Sequence, residues 1–179
     1  MKRLVLFLFA AVWLTSCSSV QVSSDYDSQV DFTKFKTYGF TEESLNLGIE
    51  QLNRDRLIRA IESEMAAKGF SKSESPDVLL DLHLKAEEKM EATATNTGGY
   101  GYGYGRYGYG GGFSTTHIDY NKYTEGTLFI NMVDRSVEKV VWQGRGTKTV
   151  DEHASAKKRE ENINYAVKQI FMQYPPKKK

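Results

Sequence analysis

Alternating apolar and polar residues predict short strands in the first half of the chain. Residues 20–27 alternate weakly, and the aromatic-rich segment 32–40 that follows indicates a second short strand. Further along, Leu80, Leu82 and Leu84 alternate with polar residues. A strand with this pattern has one buried face and one face in water, which is typical of an antiparallel sheet packed on one side.

Two later strands are predicted to form a hairpin. The apolar face of the first consists of Leu128, Ile130 and Met132. The second is expected to place Val140 and Trp142 on one face and Val141 on the other. The polar residues 134–136 between the strands suit a tight connection.

Apolar residues at three- and four-residue steps predict two amphipathic helices. The apolar face of the first helix, within residues 50–70, consists of Leu57, Ile58, Ile61 and Met65. Gly69 suits the left-handed backbone that ends a helix, with Phe70 folding back onto the last turn. The stripe of the second helix, within residues 154–174, consists of Ile163, Ala166, Val167, Ile170, Phe171 and Tyr174.

The order of these elements predicts an α+β fold. We expect an antiparallel sheet of about five strands, with the two helices packed on one face. A single domain is predicted over residues 23–176, followed by a basic tail over 177–179. One strand is expected to end near Ala86 and the next to begin near Lys122, so residues 98–112 form a long, flexible Gly/Tyr-rich loop inserted between strands.

The first residues predict a lipoprotein signal. A basic pair precedes an apolar run from Leu4 to Leu14, which is shorter than the roughly 20 residues of a membrane-spanning helix. Leu14-Thr15-Ser16-Cys17 resembles the bacterial lipobox, whose cysteine receives diacylglycerol, becomes the first residue after cleavage and is then acylated on its amine. We therefore predict a signal peptide over residues 1–16, lipidation of Cys17 and a short lipidated tether over 17–22.

Export determines the environment of the mature chain. Cleavage leaves 22 of the 24 basic residues against 23 acidic ones, so the mature net charge is −1. This balance suggests neither a nucleic-acid partner nor a strongly anionic surface. Ser18 stands where an aspartate would retain a lipoprotein in the inner membrane. We therefore expect outer-membrane lipid to anchor the protein through acylated Cys17, with the domain facing the periplasm.

Short motifs follow one another along the mature chain. They are the lipobox, Asp25-Tyr26-Asp27 with Phe35, Thr37 and Tyr38, Ala67-Lys68-Gly69-Phe70, Pro76-Asp77, Tyr123-x-Glu125-Gly126-Thr127-Leu128, Val133-Asp134, Trp142-x-Gly144 and Tyr174-Pro175-Pro176. Together they resemble the bacterial envelope lipoproteins of domain-of-unknown-function family 4136. The resemblance implies an α+β envelope lipoprotein, assigns no activity and supplies no catalytic residue.

Few side chains indicate chemistry. The histidines are His83, His117 and His153. His117 and Asp119 could lie on one side of a strand, but a zinc site usually has three or four ligands. The carboxylates Glu87, Glu88 and Glu91 are expected to be solvated, and a paired-carboxylate hydrolase would need two carboxylates to converge in three dimensions. We expect no enzymatic activity, no catalytic residue, no metal and no cofactor.

The stretch from Gly98 to Gly112 holds nine of the 15 glycines and five of the 11 tyrosines. Its only cation is Arg106, which is too little positive charge for nucleic-acid binding. Two interpretations stay open. One is a disordered loop without a specific role. The other is a contact surface for a glycan, a protein or the lipid interface, formed by Tyr100, Tyr102, Tyr104, Tyr107 and Tyr109.

Two functions are expected from this sequence. The first is a non-enzymatic, lipid-anchored envelope protein that acts as a periplasm-facing binding or scaffolding module, with an envelope protein or glycan as its partner. The alternative is an accessory carrier that holds an apolar ligand, such as a lipid, between the sheet and the helices. A scaffold needs a filled interior, whereas a carrier needs an apolar cavity of several hundred Å³.

The lipobox leads to a first prediction. Cys17→Ser removes the thiol that would be acylated, so the variant should incorporate no labelled palmitate and should be soluble or unprocessed. Cell fractionation with metabolic labelling measures both properties. A variant that still incorporates palmitate and still fractionates with the outer membrane would show that Cys17 is not the anchor.

Overall fold

One sheet organises the computed structural model, which describes residues 20–98 and 114–176. Its strands are β1 (Gln21–Tyr26), β2 (Thr37–Phe40), β3 (Ser71–Lys72), β4 (Val78–Gly98), β5 (Ser114–Asp134) and β6 (Lys139–Thr149). The helices are α1 (Glu42–Leu45), α2 (Gln51–Ala67) and α3 (Ala156–Phe171), and a 3-10 turn covers Phe32–Lys34. The predicted α+β class is confirmed.

The sheet is mixed, and this corrects the prediction of an antiparallel sheet with about five strands. Its order is β1-β6-β5-β4-β2-β3. The pairs β1–β6, β6–β5 and β5–β4 are antiparallel, whereas β4–β2 and β2–β3 are parallel. The parallel pairs arise because α2 lies between β2 and β3 in the chain, and a helical crossover returns the chain in the same direction.

Two short elements were absent from the predicted order. β3 has two exposed residues, too few to show an alternating pattern. α1 begins after Thr41, whose side chain accepts a hydrogen bond from the backbone of Ser44. Ser44 is fully buried, donates to the carbonyl of Leu80 and accepts from the N–H of Leu82. The Ser44 hydroxyl thus takes the place of a backbone partner for β4 beyond the end of β2.

β4 and β5 are much longer than predicted. They stay paired from Val78↔Asp134 to Gly98↔Ser114, whereas the expected limits were Ala86 and Lys122. The outer part of this pair has neither face in the core, so its sequence lacks the one-sided alternation by which strands are recognised. The predicted loop over 98–112 lies, apart from the backbone of Gly98, outside the described residues.

Both long helices cover one face of the sheet, as predicted. α2 contributes Leu57, Ala60, Ile61 and Met65 to the core, and α3 contributes Val167, Ile170 and Phe171. α2 is followed by Gly69 at φ +82°, and the N–H of Phe70 bonds to the carbonyl of Met65. The predicted end of this helix is confirmed.

A bulge in the hairpin changes which valine is buried. The register shifts between Met132 and Val133, so Val133 pairs with Val140 and Met132 pairs with Trp142. Val141 is therefore the extra residue and is buried, whereas Val140 is exposed. The predicted sides of these two valines were wrong, because an inserted residue breaks the two-residue period of a strand.

Glycines on β6 let α3 lie close to the sheet. A Cβ atom at Gly144 would lie 2.4 Å from Cγ2 of Ile170 and 2.4 Å from Cη2 of Trp142. At Gly146 the nearest atom, Cδ1 of Ile170, would lie at 2.8 Å. Both neighbouring side chains are fully buried and have no room to move away. The helix can therefore approach this closely only where β6 carries no side chain.

Beside this contact, aromatic rings surround Tyr174. Its ring centroid lies 5.4 Å from that of Trp142, 5.8 Å from Phe32 and 6.0 Å from Phe70. The ammonium of Lys68 donates to the Tyr174 carbonyl at 2.6 Å and so fixes the chain after α3. Neither the Tyr174 hydroxyl nor the Trp142 indole N–H has a hydrogen-bond partner among the described residues.

The first strand starts slightly before the predicted domain boundary at residue 23. β1 begins at Gln21, and Val20 is already buried. Two serines, Ser18 and Ser19, separate Val20 from Cys17. Three residue steps span at most roughly 11 Å when extended, so Cys17 cannot lie farther than this from the start of the fold.

The glycine contact leads to a second prediction. Gly144→Ala should destabilise the protein by about 1–3 kcal/mol, because the new methyl group overpacks a core that cannot yield. Gly48→Ala is the matched control, since a Cβ atom at Gly48 would meet nothing within 4 Å, and its effect should stay within about 0.5 kcal/mol. Urea unfolding measures both. Equal effects of the two substitutions would contradict the close approach of α3.

Tyr174 leads to a third prediction, on pH dependence. Burial raises the pKa of Tyr174 to about 12, while the ring in the unfolded chain loses its proton near pH 10. The neutral ring therefore contributes its full share to the free energy of unfolding below pH 10, and this share is lost as the pH rises towards 12. When the pH is raised from 8 to 11, the free energy of unfolding of Tyr174→Phe should increase by about 1 kcal/mol relative to that of the native protein. Unfolding curves at both pH values measure this gain, and a constant difference would contradict a buried hydroxyl.

Candidate functional site

An apolar cleft lies between the sheet and the two long helices. Its volume is about 340 Å³. β4, β5 and β6 supply one wall, α2 and α3 supply the other, and the loop after β6 closes one side. Its apolar lining includes Val20, Leu57, Leu84, Leu128, Val150 and Ile163. We call this feature the cleft.

Small residues line the cleft. Gly126 on β5 and Gly146 on β6 carry no side chain, and a Cβ atom would lie 2.9 Å from Cγ2 of Val150 at Gly126 and 2.8 Å from Cδ1 of Ile170 at Gly146. On the opposite side, Ala154 and Ala166 contribute only methyl groups. Leu84 was predicted to be buried on the same face as Leu80 and Leu82, but it is 40% exposed because it faces the cleft.

Polar groups lie along one side of the cleft. Lys148 extends from the helix-facing side of β6, and its ammonium donates to the Asn162 side-chain oxygen on α3 at 2.9 Å. The guanidinium of Arg159 donates to the carbonyl of Glu152 at 3.0 Å and lies 3.8 Å from a carboxylate oxygen of Glu50. The cleft therefore combines apolar walls with two cations and with the carboxylates of Asp151 and Glu152.

A second polar cluster holds elements together at another corner of the fold. The Asp77 carboxylate accepts backbone N–H bonds from Lys36 and Thr37, each at 2.8 Å, and these bonds lower its pKa. Burial of Asp134 opposes its ionisation, but hydrogen bonds from Lys34 and Ser136 outweigh this effect, so its pKa lies below the ordinary value. These carboxylates connect the start of β2 to β4 and to the β5–β6 turn.

The histidines do not converge. His83 is on the open face of the sheet, 2.7 Å from the carboxylate of Asp81. His117 and Asp119 share one side of β5, as predicted, and both are exposed, as is His153 in the loop before α3. In residues 20–98 and 114–176, no group of three or more His, Cys, Asp or Glu side chains could hold a metal ion.

The outer part of β4 and β5 extends beyond the rest of the sheet as a two-stranded ribbon. It runs from the pair Glu88↔Thr124 to the pair Gly98↔Ser114, over about 35 Å at the usual rise of a strand. One face is rich in apolar side chains, which are Met90, Ala92, Ala94, Ile118 and Tyr120. The other face carries charged and polar groups, among them the ion pair of Lys89 and Glu125 at its base. All five apolar side chains are exposed.

Several predicted site residues lie outside the described residues. These are Cys17 and the tyrosines Tyr100, Tyr102, Tyr104, Tyr107 and Tyr109. Glu87, Glu88 and Glu91 are exposed at the base of the ribbon and on it, as expected for solvated carboxylates. The carrier alternative placed an apolar ligand between the sheet and the helices, but no residue was predicted to line its cavity. The sequence feature that could have indicated the cleft is Lys148. It follows Trp142, Gly144 and Gly146 at alternate positions, so a charged residue stands on a strand face that is otherwise buried.

Comparisons with known proteins name no activity for this chain. Residues 22–176 match the family described as "Domain of unknown function (DUF4136)". A PDZ domain protein from Parabacteroides distasonis superposes with a TM-score of 0.55 at 18% identity, over 89% of this chain. This chain spans 36% of that protein's length.

Two structures of the PelC dodecamer from Paraburkholderia phytofirmans are more distant. Their TM-scores are 0.43 and 0.40 at 10% and 9% identity, and each comparison covers 86% of this chain and 95% of the other. No curated protein matches the chain significantly. Within the part of the chain that the structure describes, every helix is too short or too polar to cross a membrane.

Proposed function

The chain belongs to the DUF4136 family, and we propose that it is a non-enzymatic, lipid-anchored binding protein that holds an apolar ligand in the cleft. The proposed location is the bacterial outer membrane, with the domain facing the periplasm. Of the two functions expected from the sequence, this is the carrier. The apolar cleft between the sheet and the helices is the observation that carries the proposal.

The size and lining of the cleft suit a ligand. Its volume of about 340 Å³ falls within the usual range for small-molecule sites, roughly 300–1,000 Å³. Water inside such apolar walls has few hydrogen-bond partners, so its replacement by hydrocarbon is favourable by about 0.8 kcal/mol for each buried CH₂ group. A flexible acyl chain can adapt its shape to a cleft between a sheet and two helices.

The position of the cleft suits a lipid in particular. Val20 lines it, and Cys17 is three residues away in sequence. If Cys17 carries the anchor, the tether holds the cleft within roughly 11 Å of the acylated residue, measured from Val20. The cleft would then lie near the inner leaflet of the outer membrane.

The ribbon favours a second candidate function, the scaffolding module. An exposed apolar face on a two-stranded ribbon is unusual, because side chains such as Ile118 and Tyr120 gain free energy when a partner covers them. The tyrosine-rich segment connects the two strands of this ribbon in sequence. We propose this surface as the contact for an envelope protein.

Photocrosslinking in living cells tests the carrier. Leu84 lines the cleft and is 40% exposed, so p-benzoylphenylalanine in its place puts a photoreactive group at the cleft. Irradiation should give an adduct with the mass of a lipid. The same photoreactive group at Met172, which is exposed beyond the other end of α3, should give no such adduct.

A blocking variant makes this test specific. Ala166→Phe narrows the cleft and should abolish the lipid adduct at position 84, whereas Ala66→Phe on the exposed side of α2 should leave it unchanged. Equal lipid adducts at positions 84 and 172, or none at either, would refute the carrier. A protein adduct at position 84 would point to an interface instead.

A further inference from the structure

We infer that the occupant of the cleft is a single acyl chain ending in an anionic group, and that Lys148 binds this group. The inference rests on the proposed function, because it names the ligand of the same site. The shared chemistry is one hydrocarbon chain with one terminal negative charge. A free fatty acid supplies it as a carboxylate, and a lysophospholipid that lacks a further head group supplies it as a phosphate.

Lys148 lies where a lysine is unexpected. It follows Trp142, Gly144 and Gly146 on the face of β6 that the helices cover, and its strand partner is Gly126 on β5. Its side chain is half-buried and lines the cleft. A positive charge at this position lies beside a predominantly apolar space, where water shields it less than on an open surface.

The charge of Lys148 is not neutralised by a neighbour. Its ammonium donates to the neutral amide oxygen of Asn162, and in the described part of the chain no carboxylate forms an ion pair with it. An ammonium can donate three hydrogen bonds, so two remain for other acceptors. An anionic head group next to Asn162 would take these donors while its chain occupies the apolar part of the cleft.

The other charges of the lining already have partners. Arg159 is engaged with Glu50 and with the carbonyl of Glu152. The side chain of Glu152 accepts from the hydroxyl of Thr124 at 2.9 Å, and the side chain of Asp151 accepts from the N–H of His153 at 3.0 Å. Among the described residues that line the cleft, Lys148 is therefore the cation that has no carboxylate within ion-pair distance.

A simpler explanation makes a different prediction. Lysines often cover apolar surface with their stem while the ammonium stays in water. A lysine of that kind contributes packing but no preference between charged and neutral ligands. A substitution that removes the charge of Lys148 but keeps a hydrogen-bond donor therefore distinguishes an anion-binding lysine from one that only packs.

The experiment uses the full mature protein in liposomes with photoactivatable 16-carbon probes. One probe is the fatty acid and the other is the alcohol with the same chain, both at a pH at which the acid is ionised. Labelling of peptides that line the cleft is measured by mass spectrometry. A third probe, lysophosphatidic acid with the same chain length, distinguishes phosphate from carboxylate as the preferred head group.

The native protein should be labelled about tenfold more by an anionic probe than by the alcohol, since a hydrogen-bonded charge has an effect of this order on affinity. Lys148→Gln should lower labelling by the anionic probes about tenfold and leave labelling by the alcohol unchanged. Lys148→Arg should keep most of the labelling by the anionic probes. Lys122→Gln, an exposed lysine on the same side of the sheet, should behave like the native protein.

Two failures are distinguishable. Equal labelling by the anions and the alcohol, or anion labelling that survives Lys148→Gln, would overturn the inference while the cleft remains an apolar binding site. Absence of labelling by all three probes would overturn both the inference and the proposed function. Unfolding curves of each variant confirm that the comparison is made on folded protein.

Discussion

The close approach of α3 to β6 is the contact on which the rest of the structure depends. Ile170 occupies space that a side chain at Gly144 or Gly146 would fill, with its atoms 2.4 and 2.8 Å from where those Cβ atoms would be. Van der Waals repulsion at such distances is severe, so two glycines on one strand determine where the helix can lie. α3 in turn holds α2 on the same face of the sheet, since the two helices contact each other.

The two ends of α3 have different consequences. At its C-terminal end, the rings of Phe171 and Tyr174 contact Trp142, and the ring of Tyr174 also contacts Phe32 and Phe70, so this end is filled. Towards its first turns, the same helix faces Gly126 and the loop after β6 across the cleft, and this end is not filled. The placement of α3 thus produces a well-packed core at one end of the helix and the cleft at the other. Trp142, Gly144 and Tyr174 lie at the filled end, where each contributes to packing.

The sequence predicts the parts of the fold that local periodicity determines. The stripes of α2 and α3, Gly69 and the apolar sides of β4 and β5 follow from burial on one face. β3, α1 and the parallel pairing of β2 do not, because they depend on contacts such as Ser44 with β4. The ribbon has no buried face, and the bulge at Val141 breaks the alternation. The cleft depends on residues as distant as Val20, Leu84 and Ile163, whose convergence no local pattern records.

Native mass spectrometry of the intact protein released from outer membranes tests the central claim most directly. The proposed acylation of Cys17 would give one fixed mass, and a ligand in the cleft would add a second, non-covalent mass. The account predicts one additional single-chain anionic lipid per protein, displaced when Ala166→Phe narrows the cleft. A protein that carries its covalent acyl groups alone, or extra lipid that persists in this variant, would contradict the cleft as a lipid-binding site.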